Sequence, residues 1–336
     1  MQLSELTQRL NAFISDEFAA GATIAGVAVS DGHAGLTFLF DVHLNTGATA
    51  QYVIKMPPRG VRYKGNTDVY RQAPLLRALQ RGGLPVPKVP WAFTANNWFD
   101  TPFIVMERLP GRSFLVWDPH PSFPRKRSGI ESIWRQCIDR LPDIHRFDWR
   151  TDLAQWASPE PLTDNVSRWR RIYSQALDVA WIAAAKRVEA LLLKTLPDGE
   201  PIGLFHGDYQ PGNVLYDQNR LTGIIDWELS GIGSQLLDVG WLMLVCDAAN
   251  WVDEWRPIHA PSPADVRKLY EIAIGQAFDS LPWYQAFAGY RLASISCLNV
   301  KLHRKGQRHD PLWEKMALTV LPMFTRAEDI VRNQCG

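Results

Sequence analysis

The chain has 336 residues, which is more than one hydrophobic core usually organises, so two lobes or domains are expected. Hydrophobic residues make up 46% of the chain and charged residues 21%, as in ordinary globular proteins. The formal net charge is only +1, which argues against a nucleic-acid partner and against binding to an anionic membrane surface.

The cysteines and the chain start indicate a reducing compartment. Four cysteines occur without paired spacing, which predicts free thiols and no structural zinc site. The first residues lack the basic and apolar regions of a signal peptide, and no apolar run is long enough to span a bilayer. We therefore expect a cytoplasmic protein.

The first part of the chain predicts a helix followed by a small sheet. Residues 3–18 have apolar side chains at helical spacing, namely Leu6, Leu10, Phe13 and Ile14. Residues 24–29, 36–44 and 51–56 are rich in Val, Ile, Leu and Phe and are separated by turn signals, which predicts an antiparallel meander of three strands. A helix over 68–81 follows.

After a further strand at 103–108, the pattern becomes mostly helical. Helices are predicted over 130–145 and 166–196, then a strand-rich segment at 204–227, then helices from 239 onward. This order predicts an α+β fold with a small antiparallel N-terminal lobe, residues 1–108, and a mostly helical C-terminal lobe, residues 109–336. A ligand would bind in a cleft between two such lobes.

The strand-rich segment contains the polar residues that fit a catalytic role. Asp208 and Asn213 lie on one short loop, and Asp226 lies at the end of a later strand. A tight turn over 217–220 would place Asn213 and Asp226 at the same end of a hairpin. Phosphoryl transfer needs a carboxylate that orients and deprotonates the attacking hydroxyl, and oxygen ligands that hold Mg²⁺ against the phosphates. The three residues match both needs.

The pattern His206-Gly-Asp208-x-x-x-x-Asn213, followed by Ile-Ile-Asp226-Trp227, resembles the signature of the aminoglycoside phosphotransferase and choline-kinase-like family. The resemblance implies a protein-kinase-like bilobal fold with Asp208 as catalytic base. It also implies that Asn213 and Asp226 are magnesium ligands, Asp226 the principal one. ATP and Mg²⁺ are the implied cofactors and a small-molecule hydroxyl is the acceptor. Residues 225–230 are similar to the branch of this family that is fused to acyl-CoA dehydrogenase domains.

The nucleotide site follows from the same resemblance. Lys55 ends the third strand, where a lysine can pair with the α- and β-phosphates. The turn that contains Gly32 and Gly35 would cover the phosphates, although it lacks a full GxGxxG. Backbone groups around Glu107 and Leu109, in a segment similar to the family's inter-lobe hinge, would bind adenine.

Two positions depart from the family pattern. Where the family has a glutamate after the lysine strand, this chain has Gln72, so either Gln72 suffices as the partner of Lys55 or another acid such as Asp68 replaces it. Glu228 is either linked to the metal site or a surface residue. Ser234 stands where the family often has aspartate and is expected to cap the next helix.

These observations predict an enzyme that moves the γ-phosphate of ATP to a hydroxyl of a small organic molecule. From Asp238 to the C-terminus the chain has eleven acids and eleven bases, whereas a polycationic aminoglycoside would favour an acidic excess. A pseudokinase-like nucleotide-binding protein is the alternative, favoured by Gln72. A protein kinase is a third choice, disfavoured by the missing activation segment. The sequence leaves the oligomeric state open.

Overall fold

The computed structural model describes residues 3–18, 20–29, 36–58, 60–94 and 98–335. Helix α1 (Leu3–Glu17) opens the fold. Its apolar stripe is fully buried, as the helical spacing predicts: Leu6, Leu10, Phe13 and Ile14. These side chains join the apolar face of a neighbouring sheet in one hydrophobic core, so α1 is held by packing rather than by its own propensity.

A five-stranded antiparallel sheet follows α1, in the order β1-β2-β3-β5-β4. Its strands are β1 (Thr23–Val29), β2 (Leu36–His43), β3 (Thr49–Met56), β4 (Trp91–Phe93) and β5 (Phe103–Glu107). The predicted meander of β1, β2 and β3 is confirmed, with Lys55 opposite Thr37 on one side and Ile104 on the other. Lys55 is therefore carried by a central strand.

Helix α2 (Gln72–Arg81) begins later than the predicted residue 68. Pro74 lies in its first turn, where the missing N–H costs no helical hydrogen bond. Asp68 lies before the helix, and its carboxylate accepts a hydrogen bond from the N–H of Arg71 at 3.2 Å.

The rest of the chain is largely helical, but the single helix predicted over 166–196 is wrong. Helix α3 (Arg127–His145) is followed by α4 (Trp149–Asp152). Three separate helices then cover the predicted region: α5 (Leu162–Ser167), α6 (Arg170–Tyr173) and α7 (Val179–Lys194). The side chain of Asp178 accepts a hydrogen bond from Ala180 N–H at 2.8 Å. This N-cap starts a new helix at α7.

Short strands occur within the helical region. They are β6 (Arg112–Ser113), β7 (Ile202–Phe205), β8 (Val214–Asp217), β9 (Arg220–Ile224) and β10 (Gly231–Ser234). Strand β6 pairs antiparallel with β8, and β7 pairs antiparallel with β10. The predicted turn between β8 and β9 is present, with Gln218 and Asn219 both in the left-handed region. That geometry is typical of a two-residue hairpin turn.

Four helices complete the chain: α8 (Leu236–Cys246), α9 (Pro263–Ile274), α10 (Leu281–Arg304) and α11 (Leu312–Gln334). Every residue of α8 is buried, because it packs in the interior and not along a surface. The expected cap by Ser234 is wrong. Ser234 ends β10, and the cap position belongs to Gln235, which makes no side-chain cap bond.

The chain divides into two compact units. The first contains Met1–Gly111, Arg150–Trp156 and Thr222–Leu229, and the second contains Arg112–Trp149, Ala157–Leu221 and Ser230–Gly336. A small antiparallel sheet with a largely helical remainder confirms the predicted α+β class. Within the described residues, no helix has both the length and the apolar character needed to cross a membrane.

Candidate active site

The loop after β7 holds Asp208 in a defined position. The side-chain amide of Asn213 donates to the backbone carbonyl of Asp208 at 2.8 Å and to its Oδ2 at 2.9 Å. The amide of Gln210 donates to the other carboxylate oxygen, Oδ1, at 3.0 Å. Both oxygens of Asp208 therefore accept hydrogen bonds from neighbours on the same loop, which fixes the orientation of the carboxylate.

Asp238 on α8 holds the backbone of this loop through its carboxylate. Its Oδ2 accepts the N–H of His206 and its Oδ1 accepts the N–H of Gly207, each at 2.7 Å. The Nδ1 atom of His206 accepts the N–H of Asp208 at 3.2 Å. Gly207 has a φ of 88°, a left-handed conformation that favours glycine. Asp238 and His206 thus position the loop through buried hydrogen bonds.

The brace continues into α3 and α9. His145 Nε2 lies 3.4 Å from Asp238 Oδ2, and His145 Nδ1 lies 2.7 Å from the hydroxyl of Tyr270. Burial, together with the charge of Asp238, raises the pKa of Tyr270 above its ordinary value. The tyrosine therefore stays neutral at physiological pH and can hydrogen-bond to the imidazole.

A second polar cluster lies in the first compact unit around Lys55. The ammonium Nζ of Lys55 is 3.0 Å from Asp226 Oδ1 and 2.9 Å from Glu228 Oε2. Lys55 is 6% exposed. Burial alone would lower the pKa of Lys55, but the charges of Asp226 and Glu228 outweigh it, and the net pKa is raised. Lys55 is therefore fully charged at neutral pH.

Glu228 supplies the carboxylate that the sequence left unassigned. Gln72 is 3% exposed, and its Nε2 has no hydrogen-bond partner among the described residues. The acids that pair with Lys55 are Asp226 and Glu228, so neither Gln72 nor Asp68 is needed for this charge-assisted contact. The sequence signal was the spacing: Glu228 follows Asp226 by two residues, and the turn Trp227–Leu229 brings it back to the lysine.

Asp226 has an unusual backbone. Its φ is 64°, in the left-handed region that few non-glycine residues adopt. The turn after it is held by Trp227, which is 1% exposed and donates its indole N–H to the carbonyl of Ile224 at 3.1 Å. Strained backbone that neighbouring packing enforces is typical of functional positions. Burial raises the pKa of Glu228 even though Lys55 opposes the shift.

The two residues expected to bind adenine lie at the end of β5 and just beyond it. The N–H of Glu107 donates to the carbonyl of Lys88 at 2.9 Å, so it is already used. In the described part of the chain, no backbone hydrogen bond uses the N–H of Leu109. A Cβ on Gly223 would lie 2.3 Å from Leu109 Cδ1, so β9 passes close to this side chain, which would have to shift if the glycine were replaced. Gly32 and Gly35 lie outside the described residues.

The side chains predicted to bind magnesium have suitable oxygen atoms. Among the described residues, both hydrogen bonds of the Asn213 side chain are donated by Nδ2, which leaves the amide oxygen available for a cation. Asp226 is about one third exposed and contacts Lys55 through Oδ1, with Oδ2 as the second oxygen. No group of three His, Cys, Asp or Glu side chains in the described ranges could hold a metal. A magnesium ion here would need amide and phosphate oxygens as well, which suits its ligand preference.

Comparison with known proteins places this geometry in a family. Residues 32–281 match the signature of the phosphotransferase enzyme family, APH. The chain belongs to this family. The predicted resemblance is therefore confirmed, and with it the expectation of a small-molecule phosphotransferase.

Solved structures of family members share the fold. A putative aminoglycoside phosphotransferase from Ralstonia eutropha superposes with a TM-score of 0.79 at 20% identity, covering 97% of this chain and 98% of that one. A thermostable mutant of aminoglycoside phosphotransferase APH(4)-Ia, in ternary complex with AMP-PNP and hygromycin B, gives 0.64 at 17% identity over 97% and 99%. A choline/ethanolamine kinase family protein from Mesorhizobium loti gives 0.60 at 16% over 97% and 99%. The protein-kinase-like fold is confirmed.

Curated relatives include much longer proteins. Acyl-CoA dehydrogenase family member 10 of Mus musculus is 26% identical over 74% of this chain and 24% of its own length. The probable acyl-CoA dehydrogenase IBR3 of Arabidopsis thaliana is 29% identical over 79% of this chain and 34% of its own length. The chain thus spans about a quarter to a third of these relatives. The predicted similarity to the branch fused to acyl-CoA dehydrogenase domains is confirmed.

Proposed function

We propose that this phosphotransferase uses ATP and Mg²⁺ and transfers the γ-phosphate to a hydroxyl of a small organic molecule that is not a polycationic aminoglycoside. The observation that carries the proposal is the Asp208 carboxylate, oriented by Gln210 and Asn213 on a loop that Asp238 braces. In this role Asp208 orients the acceptor hydroxyl and accepts its proton as the oxygen attacks phosphorus.

The Lys55 cluster supports the nucleotide part of the proposal. A buried, fully charged lysine held by two carboxylates is preorganised to contact the α- and β-phosphates. Asn213 and Asp226 would hold the magnesium ion through their side-chain oxygens. A magnesium ion bound there would neutralise the negative charge that develops on the phosphate oxygens during transfer. The carbonyl of Glu107 and the N–H of Leu109 would bind adenine, and the turn with Gly32 and Gly35 would cover the phosphates.

The alternative, a nucleotide-binding protein without efficient transfer, drew its support from Gln72. Because Glu228 pairs with Lys55 at 2.9 Å, the cluster keeps the carboxylate whose loss Gln72 suggested. Asp208 and Asn213 are also both present and hydrogen-bonded to each other. These contacts favour the enzyme over the nucleotide-binding alternative. The acceptor lobe is proposed to be residues 109–336, and the nucleotide-binding lobe residues 1–108.

The test is phosphate transfer by Asp208→Asn, measured as acceptor-dependent ADP release and as a mass increase of the acceptor. Losing the base is expected to reduce the turnover rate by about a hundredfold to ten-thousandfold, with Mg·ATP affinity unchanged because Asp208 is not assigned to the metal.

The matched control is Asp217→Asn, the same chemical change at an exposed residue that ends β8. It should keep wild-type turnover. Full activity of Asp208→Asn, or equal losses in both variants, would overturn the assignment of the base.

A further inference from the structure

Arg291 is a buried cation in the second compact unit. It lies on α10 and is 4% exposed. Burying a charge without an opposite charge is costly, so buried arginines usually pair with a carboxylate. Among the described residues, no carboxylate forms an ion pair or a hydrogen bond with Arg291.

The guanidinium of Arg291 is instead packed against two indoles. Its Cζ lies 4.8 Å from the ring centroid of Trp241 and 5.5 Å from that of Trp169. Such cation–π contacts attract the charge of the guanidinium to the ring face. They do not supply the oxygen acceptors that its N–H groups ordinarily bind.

Three nitrogen donors in this cluster are buried and have no acceptor in the described part of the chain. They are Nε of Arg291 and the indole nitrogens of Trp169 and Trp241. Buried donors are almost always hydrogen-bonded in native proteins. Three orphaned donors, on Arg291 and on the two indoles that it contacts, indicate a site built for an acceptor that the protein itself does not supply.

The neighbouring Arg168 contacts the same indole as Arg291 but has a carboxylate partner. Arg168 also lies over Trp169, at 5.1 Å, but its guanidinium forms an ion pair with Glu160 at 2.9 Å. Burial, with a further contribution from Arg168, lowers the pKa of Arg291 to about 10, so Arg291 still carries its charge at neutral pH. The cation is therefore permanent and lacks a bonded counter-charge.

We propose that Arg291, together with the indole N–H groups of Trp169 and Trp241, binds an oxyanion of the acceptor, so that the hydroxyl substrate is an anion such as a hydroxycarboxylate or a phosphorylated alcohol. This inference rests on the proposed function, because it names the substrate class of the same site. Trp241 lies on α8 three residues after Asp238, which binds the backbone of the loop that carries Asp208, and the charges of Asp208, Asp238 and Glu160 all act on Arg291. One end of the acceptor would be held by Arg291 while its hydroxyl is presented to Asp208.

The experiment is calorimetric titration of matched probe pairs into protein saturated with Mg·AMP-PNP. One pair is 3-hydroxybutyrate against 1,3-butanediol, and the other is glycerol 3-phosphate against glycerol. Wild type is expected to bind the anion of at least one pair about tenfold or more tighter than its neutral counterpart, as expected for hydrogen bonds to a charged group. The pair that shows the preference distinguishes a carboxylate from a phosphate.

Arg291→Met should abolish the preference for the anion, and Arg304→Met, which removes an exposed arginine paired with Glu314, should leave it intact. If Arg291→Met does not fold, Arg291→Lys, which keeps the charge with fewer donors, should show a weakened preference. Equal binding of anion and neutral probe by wild type, no binding of either anion, or a preference that survives in Arg291→Met would each overturn the proposal. AMP-PNP binding is measured first in the same samples, so a failure of the kinase site is distinguished from a failure of the anion site.

Discussion

Lys55 and Arg291 are both buried cations, one in each compact unit, yet their surroundings differ. Lys55 has two carboxylates within 3.0 Å, and its pKa is raised. Arg291 has two aromatic faces and no carboxylate in contact among the described residues, and its pKa is lowered to about 10. The same kind of group is paired with two carboxylates in one unit, whereas in the other only the more distant charges of Asp208, Asp238 and Glu160 act on it.

A buried cation can await its ligand in two ways, either paired with carboxylates of the protein or without a bonded carboxylate. The Lys55 cluster is electrostatically complete, so the fold can hold the lysine in place before any phosphate arrives. Arg291 is incomplete, and burying it without a partner reduces stability until an anion binds. Functional sites often carry such local costs, which packing elsewhere offsets.

The largest change in the free energy of unfolding is expected from removing the charge of Lys55. Lys55→Met leaves Asp226 and Glu228 facing each other without a counter-charge. Breaking a buried ion pair from one side costs about 3 kcal/mol or more, and the partial exposure of Asp226 reduces this to about 2 kcal/mol. Urea unfolding followed by circular dichroism measures the change.

Lys88→Met provides the matched control, because Lys88 lies 3.7 Å from Glu107 and both side chains are largely exposed. Its free energy of unfolding should change by less than about 0.5 kcal/mol. If the two variants lose the same stability, Lys55 does not form a buried ion network with Asp226 and Glu228.

Arg291→Met should act in the opposite direction. Replacing a buried charge that forms no ion pair by an apolar side chain of similar length is expected to stabilise the ligand-free protein by about 1 kcal/mol. Denaturant unfolding without added anions provides the measurement. A loss of 2 kcal/mol or more, by the same reasoning, would mean that Arg291 has a structural partner and that the contrast with Lys55 is false.

The stability of the folded protein is also expected to depend on pH through Glu228. Burial raises the pKa of Glu228 above its usual 4.5, so the folded protein binds more protons than the unfolded chain above that pH. The stability that protonated Glu228 contributes is therefore present below pH 4.5 and is lost as the pH rises through the raised pKa. Glu228→Gln should remove this loss, which is at most about 1.4 kcal/mol per pH unit.

The measurement is thermal unfolding of wild type and Glu228→Gln at several pH values from 4.5 upward. Wild type should lose stability relative to the variant as the pH rises. Parallel pH profiles of the two proteins would show that burial does not raise the pKa of Glu228 in the folded protein.

Much of the fold could be predicted because local patterns agreed with the final packing. The spacing of Leu6, Leu10 and Phe13 predicts the buried face of α1, and the turn signals predict the meander. The break within 166–196 was missed because apolar residues continue across it, while the N-cap at Asp178 is a single-residue signal. Strand β10 was missed because it is glycine-rich. A Cβ on Gly231 would lie 2.7 Å from Phe205 Cζ, so the Phe205 ring packs over a residue type that strand propensity disfavours.

The candidate site divides in the same way. Asp208, Asn213 and Asp226 could be identified because their types and spacing match a known chemistry, although their roles remain predictions. The tertiary contacts of the site could not be predicted from the sequence. Asp238 is 30 residues from Asp208 in the sequence, and the pairing of Glu228 with Lys55 joins segments 173 residues apart. Arg291 belongs to no sequence motif. Its lack of a carboxylate partner among the described residues becomes visible only in the folded structure.

The most direct test of the kinase site is calorimetric titration of ATP, with and without Mg²⁺, into wild type and Asp226→Ala. Wild type is predicted to bind ATP in a magnesium-dependent manner, and Asp226→Ala should lose about tenfold or more of the affinity for Mg·ATP. Its affinity for magnesium-free ATP serves as the internal control and should change far less. Unchanged Mg·ATP affinity in Asp226→Ala, or no binding of ATP by wild type, would contradict the account.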